Sequence, residues 1–92
     1  METKKFDLED RLIDFAIMVS EVIENLPNTK LANHLGGQGI RSSTAPALLY
    51  GEVQSAESQK DFIHKAQILL KELRETKVSL KIIQRKRLLV DS

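Results

Sequence analysis

From Ser58 onward, not one glycine or proline interrupts the chain, and its apolar residues recur with the period of a helix. Phe62, Ala66, Leu69, Leu73, Thr76, Leu80 and Ile83 follow one another at spacings of four and three. That seam predicts a helix from Ser58 to about Leu88, roughly 45 Å long at ~1.5 Å per residue. Ser58 and Asp61 have the Ser-x-x-Asp form of a helix start, and Asp61 to Lys65 is a favourably oriented i, i+4 pair. A rod of that length with one apolar face is not stable alone; it must lie against other rods. Thr76 is the one polar residue on the seam. Its hydroxyl is expected to bond back to a carbonyl one turn earlier, the alternative being a register-setting contact in an assembly.

The first segment repeats the pattern. Leu8, Leu12, Phe15, Val19, Val22 and Leu26 step by four and three, and Ile13, Ala16, Ile17 and Ile23 widen the face. Asp7 suits an N-cap, Asp10 stands three residues on, and Pro27 ends the run, so a helix is expected from about Asp7 to Leu26. The middle segment is the ambiguous one. Leu31, Ala32 and Leu35 fit a helical face, but Gly36, Gly37, Gly39, Ser42 and Ser43 follow, and Pro46 opposes a helical Ala45. The expectation is a helix over residues 29–55 with a weak or kinked centre near 44–46. Thr44 would cap the restart, and the small residues would let a neighbouring backbone come close.

These three rods predict an all-α fold, an antiparallel up-and-down helical bundle in a single domain of 92 residues. A chain of this size buries only about 60–65% of its unfolded surface, so a lone three-helix unit is marginal. There is no cysteine, hence no disulfide framework or thiolate site. The start, METKKFDLED, lacks the apolar run of a secretory signal, and no apolar stretch approaches membrane-span length. A cytoplasmic protein with no membrane partner is expected.

The net charge of +1 conceals a gradient. Residues 1–30 hold four Lys/Arg and seven Asp/Glu, whereas residues 57–92 hold nine and five. Lys77, Lys81, Arg85, Lys86 and Arg87 crowd the last sixteen residues, opposed only by Asp91. Lys77, Lys81 and Arg85 step by four and so share a helix face, which Lys71 and Arg74 extend. Lys77, Lys81, Arg85, Lys86 and Arg87 are the candidate anion-binding residues, directed at nucleic-acid phosphates. The same cations also favour a helix C-terminus with no ligand at all. With one tyrosine and no tryptophan, any nucleic-acid contact would be to the backbone and not by base stacking.

No catalytic constellation is evident. LGGQGIRSS has neither the Gly-Lys-Ser/Thr nor the preceding strand of a phosphate loop, and Gly37-Gln38-Gly39 lacks the third glycine of a dinucleotide fingerprint. His34 and His64 have no partner at metal-ligand spacing. Ser42, Ser43 and Thr44 have no base beside them and read as helix caps before a proline. No enzyme, cofactor, metal or small-molecule substrate is expected.

Several residues form a longer pattern: Arg41-Ser42-x-Thr44, Tyr50-x-Glu52, Ser55-x-Glu57-Ser58, Asp61-Phe62-Ile63-x-Lys65 and Leu70-Lys71-Glu72-x-Arg74-Glu75-Thr76. In this the chain, over roughly residues 6–88, resembles the bacterial helical-bundle family related to the protein encoded by intervening sequences in 23S ribosomal RNA genes. The resemblance implies an antiparallel four-helix bundle, a homopentameric ring and no enzymatic activity. A related group, the accessory proteins of diversity-generating retroelements, implies RNA or DNA binding through a basic surface. Two departures stand out. The family's further helix would follow Leu89, yet this sequence stops at Ser92, so a groove is expected where the fourth helix would lie. Leu49 also stands where relatives often carry a polar residue. Two functions follow as expectations: a nucleic-acid-binding homo-oligomer, or an interaction scaffold whose basic ends meet the acidic first helices of its neighbours.

Overall fold

The computed structural model describes residues 7–89. Those residues form three helices and no strand: α1 (Leu8–Glu24), α2 (Lys30–Gln54) and α3 (Gln59–Arg85). Residues 25–29 and 55–58 connect them, short links of the kind that leave consecutive helices antiparallel. The all-α reading therefore holds.

Each helix starts on a side-chain cap. The Asp7 carboxylate accepts the Asp10 amide at 3.1 Å, Thr29 Oγ1 accepts the Ala32 amide at 3.1 Å, and Ser58 Oγ accepts the Asp61 amide at 3.0 Å. These satisfy amides that have no carbonyl partner inside the helix. Thr29 is thus the cap of α2 and not its first residue. The Asp61 carboxylate accepts the Glu57 amide at 3.2 Å and pairs with Lys65 at 3.4 Å. The amide bond first, and then Lys65, hold it below the ordinary carboxylate range. At α1 the second acid is crowded instead: hydrogen bonding and charge from Asp7 raise Asp10.

Two expected boundaries shift. α1 ends at Glu24, two residues before Leu26, where the Asn25 side-chain amide donates to the Glu21 carbonyl at 2.8 Å. α3 ends at Arg85 and not at Leu88. Its end is a Schellman closure: the Arg87 amide donates to the Gln84 carbonyl and the Leu88 amide to the Ile83 carbonyl, each at 3.1 Å. Arg87 takes the left-handed conformation (φ 57°) that glycine usually supplies there. Leu88, half-buried, and Ile83, buried, occupy the two positions between which an apolar contact commonly accompanies such closures.

The larger correction is in α2, which runs unbroken from Lys30 to Gln54 with Pro46 inside it. Thr44 is no cap; its hydroxyl donates to the Ile40 carbonyl at 2.8 Å. Burial carries the helix through its poor formers. Gly36, Gly39, Ser42, Ser43 and Pro46 are all buried, because α2 is the middle rod, packed by α1 on one side and α3 on the other. Tertiary contact of this kind outweighs helix propensity. No Cα of α1 comes within 8 Å of one in α3.

Small residues set how closely α1 approaches α2. A β-carbon at Gly39 would lie 2.8 Å from Ile23 Cδ1, and one at Gly36 would lie 3.2 Å from Ile23 Cγ2. Ile23 therefore fills a notch that only glycine leaves open, the close approach anticipated for this stretch. On the other side, Ser42 Oγ and Thr76 Oγ1 meet at 2.7 Å, both buried. Thr76 also donates to the Glu72 carbonyl at 3.1 Å, the expected back-bond, so its one proton is used and Ser42 supplies the other. Beside this pair, Arg41 grips Glu72 at 3.0 Å and Glu75 at 2.7 Å, which keeps its guanidinium more firmly protonated than usual.

α1 and α3 run in the same direction with a groove between them. Phe15 faces Leu73 and Leu80, and Val22 faces Leu80 and Ile83. The overhang of α3 consequently falls at its start and not at its basic end. With about 1.5 Å of rise in both helices, Leu8 reaches only about as far as Ala66, and Phe62 and Ile63 remain half exposed beyond it. Twelve large apolar side chains are more than a third exposed among the described residues, against six apolar residues that are buried. Eight of the twelve lie on α1 and α3: Ile13, Ile17, Met18, Phe62, Ile63, Leu70, Val78 and Ile82.

Two sets of substitutions check this packing at fixed protein concentration. Gly37 has no neighbour within 4 Å of a built β-carbon, so Gly37→Ala should stabilise by about 0.5–1 kcal/mol and raise the melting temperature. Gly39→Ala should gain less than Gly37→Ala or lose outright, and adding Ile23→Val, which removes Cδ1, should restore the difference. Thr76→Val leaves the buried Ser42 hydroxyl without its acceptor and should cost about 1–3 kcal/mol in chemical denaturation. The double variant Ser42→Ala/Thr76→Val should cost less than the sum of its parts.

Candidate functional site

The chain's cations divide into paired and free. Lys65 pairs with Asp61, Lys71 with Glu75, and Arg41 with Glu72 and Glu75. Lys77, Lys81, Arg85, Lys86 and Arg87 are all exposed and have no acidic partner among the described residues. The chain's cationic end is therefore not neutralised by its own folded surface.

The structure does not gather the five into one patch. Lys77 and Lys81 stand at the groove between α1 and α3, beside Phe15, Leu73 and Leu80. Lys81 also borders, with Arg85 and Lys86, a depression over Val78 and Ile82. Arg87 points elsewhere, toward Val22, Ile83 and Leu89. Lys86 and Arg87 follow Arg85 by one and two positions, about 100° and 200° around a helix, so neither belongs to the i, i+4 row; the chain also leaves the helix at Lys86. The arrangement is a strip of Lys77, Lys81 and Arg85 with two further cations splayed around the end of α3. It can hold phosphates through long, mobile, solvated side chains, and it has no buried donor to fix a particular one. Arg85 in the last turn also meets the partial negative charge of the helix end.

A second surface was not anticipated. Between α2 and α3, on the side away from α1, lies a groove with His34, Gln38 and Arg74 at its edges and Leu35, Val78 and Ile82 within it. His34, Gln38 and Arg41 fall on the far side of α2 from Gly36 and Gly39 at about 100° per residue. The α2 and α3 residues that line this groove are 32 to 48 positions apart in sequence, beyond the reach of local periodicity. The same holds for the Arg41–Glu72 and Ser42–Thr76 contacts, whose pairings have no local signal.

His64 is exposed on α3, beside the Asp61–Lys65 pair. Ser42, Ser43 and Thr44 sit within α2, where their hydroxyls bond to Thr76 or to the Ile40 carbonyl. Among the described residues no group of three His, Cys, Asp or Glu side chains is placed to hold a metal ion. Among them, too, no helix is long and apolar enough to cross a membrane. Searches of protein-family models, of curated proteins and of solved structures found no match to this chain.

Proposed function

We propose that the protein is a non-enzymatic, self-associating helical bundle that holds the backbone of RNA or DNA against its cationic end. The observation that carries this reading is the unneutralised state of Lys77, Lys81, Arg85, Lys86 and Arg87 on a surface where Arg41, Lys65 and Lys71 each have a carboxylate. The resemblance to the ribosomal intervening-sequence family supports it, as does the uncovered apolar face of three helices. In this reading neighbouring copies cover the exposed apolar faces, and assembly multiplies one weak cationic strip into a continuous one.

A scaffold without nucleic acid is the second reading. It is favoured by the exposed acids of α1 (Asp14, Glu21 and Glu24), which give a neighbour's cations something to meet.

Fluorescence anisotropy with labelled RNA and DNA oligonucleotides separates the two. Five phosphate contacts predict a log–log salt slope of about −4.5 on duplex DNA and about −3.5 on a single strand. Between 50 and 200 mM salt that is roughly a 500-fold and a 100-fold loss of affinity. Lys81→Gln/Arg85→Gln should reduce the slope by about two. Absence of binding at 50 mM salt, or binding indifferent to both salt and substitution, contradicts the nucleic-acid reading. A loss of self-association in the same variant would then favour the scaffold.

A further inference from the structure

The groove between α2 and α3 has the chemistry of a docking site for a helix. Leu35, buried, forms its floor, and Val78 and Ile82 are 50% and 40% exposed within it. Its charge is positive. Glu75 is already held by Arg41, whereas Arg74 has no acidic partner among the described residues, and Arg85 and Lys86 continue the rim around the same Val78 and Ile82. From Arg74 to Lys86 the rim extends about 18 Å at the helical rise.

The outer face of α1 has the opposite character. Ile13 and Ile17, one turn apart, are 40% and 52% exposed. Asp14, Glu21 and Glu24 lie along the same exposed side, and Arg11 is the only cation in the helix. The face extends about 17 Å from Ile13 to Glu24, close to the length of the groove. It is an apolar ridge flanked by acids; the other is an apolar trough flanked by bases. They lie on opposite sides of the molecule, because α1 packs on the face of α2 that carries Gly36 and Gly39.

We infer that α1 of a second copy of this chain docks, by its Ile13–Ile17 face, into the α2–α3 groove at Val78 and Ile82. A copy cannot fill its own groove, since its α1 is held by Ile23 on the other side of α2. The contact is therefore heterologous: each copy offers one ridge and one groove, so association continues from copy to copy into a closed ring or an open row. This specifies the surfaces used by the self-association proposed above and rests on that part of it alone. Lys77, at the groove between α1 and α3, stays outside the contact, and Lys81 stands at its border.

A mixing experiment tests it by light scattering after size-exclusion chromatography. Ile17→Glu closes the ridge and Val78→Glu closes the groove; both positions are half exposed, and two glutamates facing each other also repel. At concentrations where the native chain is associated, each variant alone should run as a monomer. An equimolar mixture should give a heterodimer with the mass of two chains, because one intact ridge and one intact groove remain. Ile17→Ser and Val78→Ser replace either variant if circular dichroism shows it unfolded. A mixture that stays monomeric, variants that associate as the native chain does, or a native chain that is monomeric at every concentration overturns the inference. Oligonucleotide binding by the native chain, read separately by anisotropy, reports on the nucleic-acid proposal and does not bear on this one.

Discussion

The close packing of α2 against both neighbours is the constraint on which the rest depends. Ile23 reaches α2 only because Gly36 and Gly39 have no side chain, and Thr76 reaches it through the hydroxyl of Ser42. The consequence is an unusual core. The largest fully buried side chains are Thr76, Pro46, Ser42 and Ser43, and none is a large hydrophobe. Hydrophobic stabilisation scales with apolar area removed from water, about 25 cal/mol per Å². A centre built of small and polar groups removes little of it. Close approach of backbones supplies dispersion contacts and fixes register, while Leu, Ile and Phe side chains of α1 and α3 are left at the margins, half exposed.

That exposure joins the fold to its proposed function. A surface with so much uncovered apolar area invites association. The charges then decide which copies or ligands it accepts, since α1 is almost wholly acidic and the end of α3 almost wholly basic. Arg41 takes up Glu72 and Glu75, leaving Arg74 and the cations beyond it free to act outside the chain. Arg41 and Glu75 remain substantially solvated while Glu72 is largely covered, and the pairs orient α2 on α3.

What the sequence disclosed follows the range of each interaction. The caps at Asp7 and Ser58, the heptad seams and the back-bond of Thr76 all depend on residues within one turn, and all were readable. The continuity of α2 through Pro46 was not, because it comes from burial between two helices distant in sequence. Propensity alone argues for a break there. The early end of α3 was also hidden: no glycine marks it, and the signal is the five-residue spacing of Ile83 and Leu88, which fold back on each other. The row of Lys77, Lys81 and Arg85 was readable from its spacing of four, whereas the positions of Lys86 and Arg87 around the end of α3 depend on that closure. The α2–α3 groove, assembled from residues more than thirty positions apart, had no local signature.

Amide hydrogen exchange, resolved along the chain, tests the central role of α2 most directly. If its glycine- and serine-lined face is the axis of the structure, the slowest amides should lie between Leu35 and Ser43, despite the poor helix formers there, and facing them between Thr76 and Ile83. The first two turns of α3, which overhang α1, should exchange much faster. An α2 centre that exchanges as fast as those overhanging turns would contradict the account, for it would mean that Pro46 and the glycines break the helix after all.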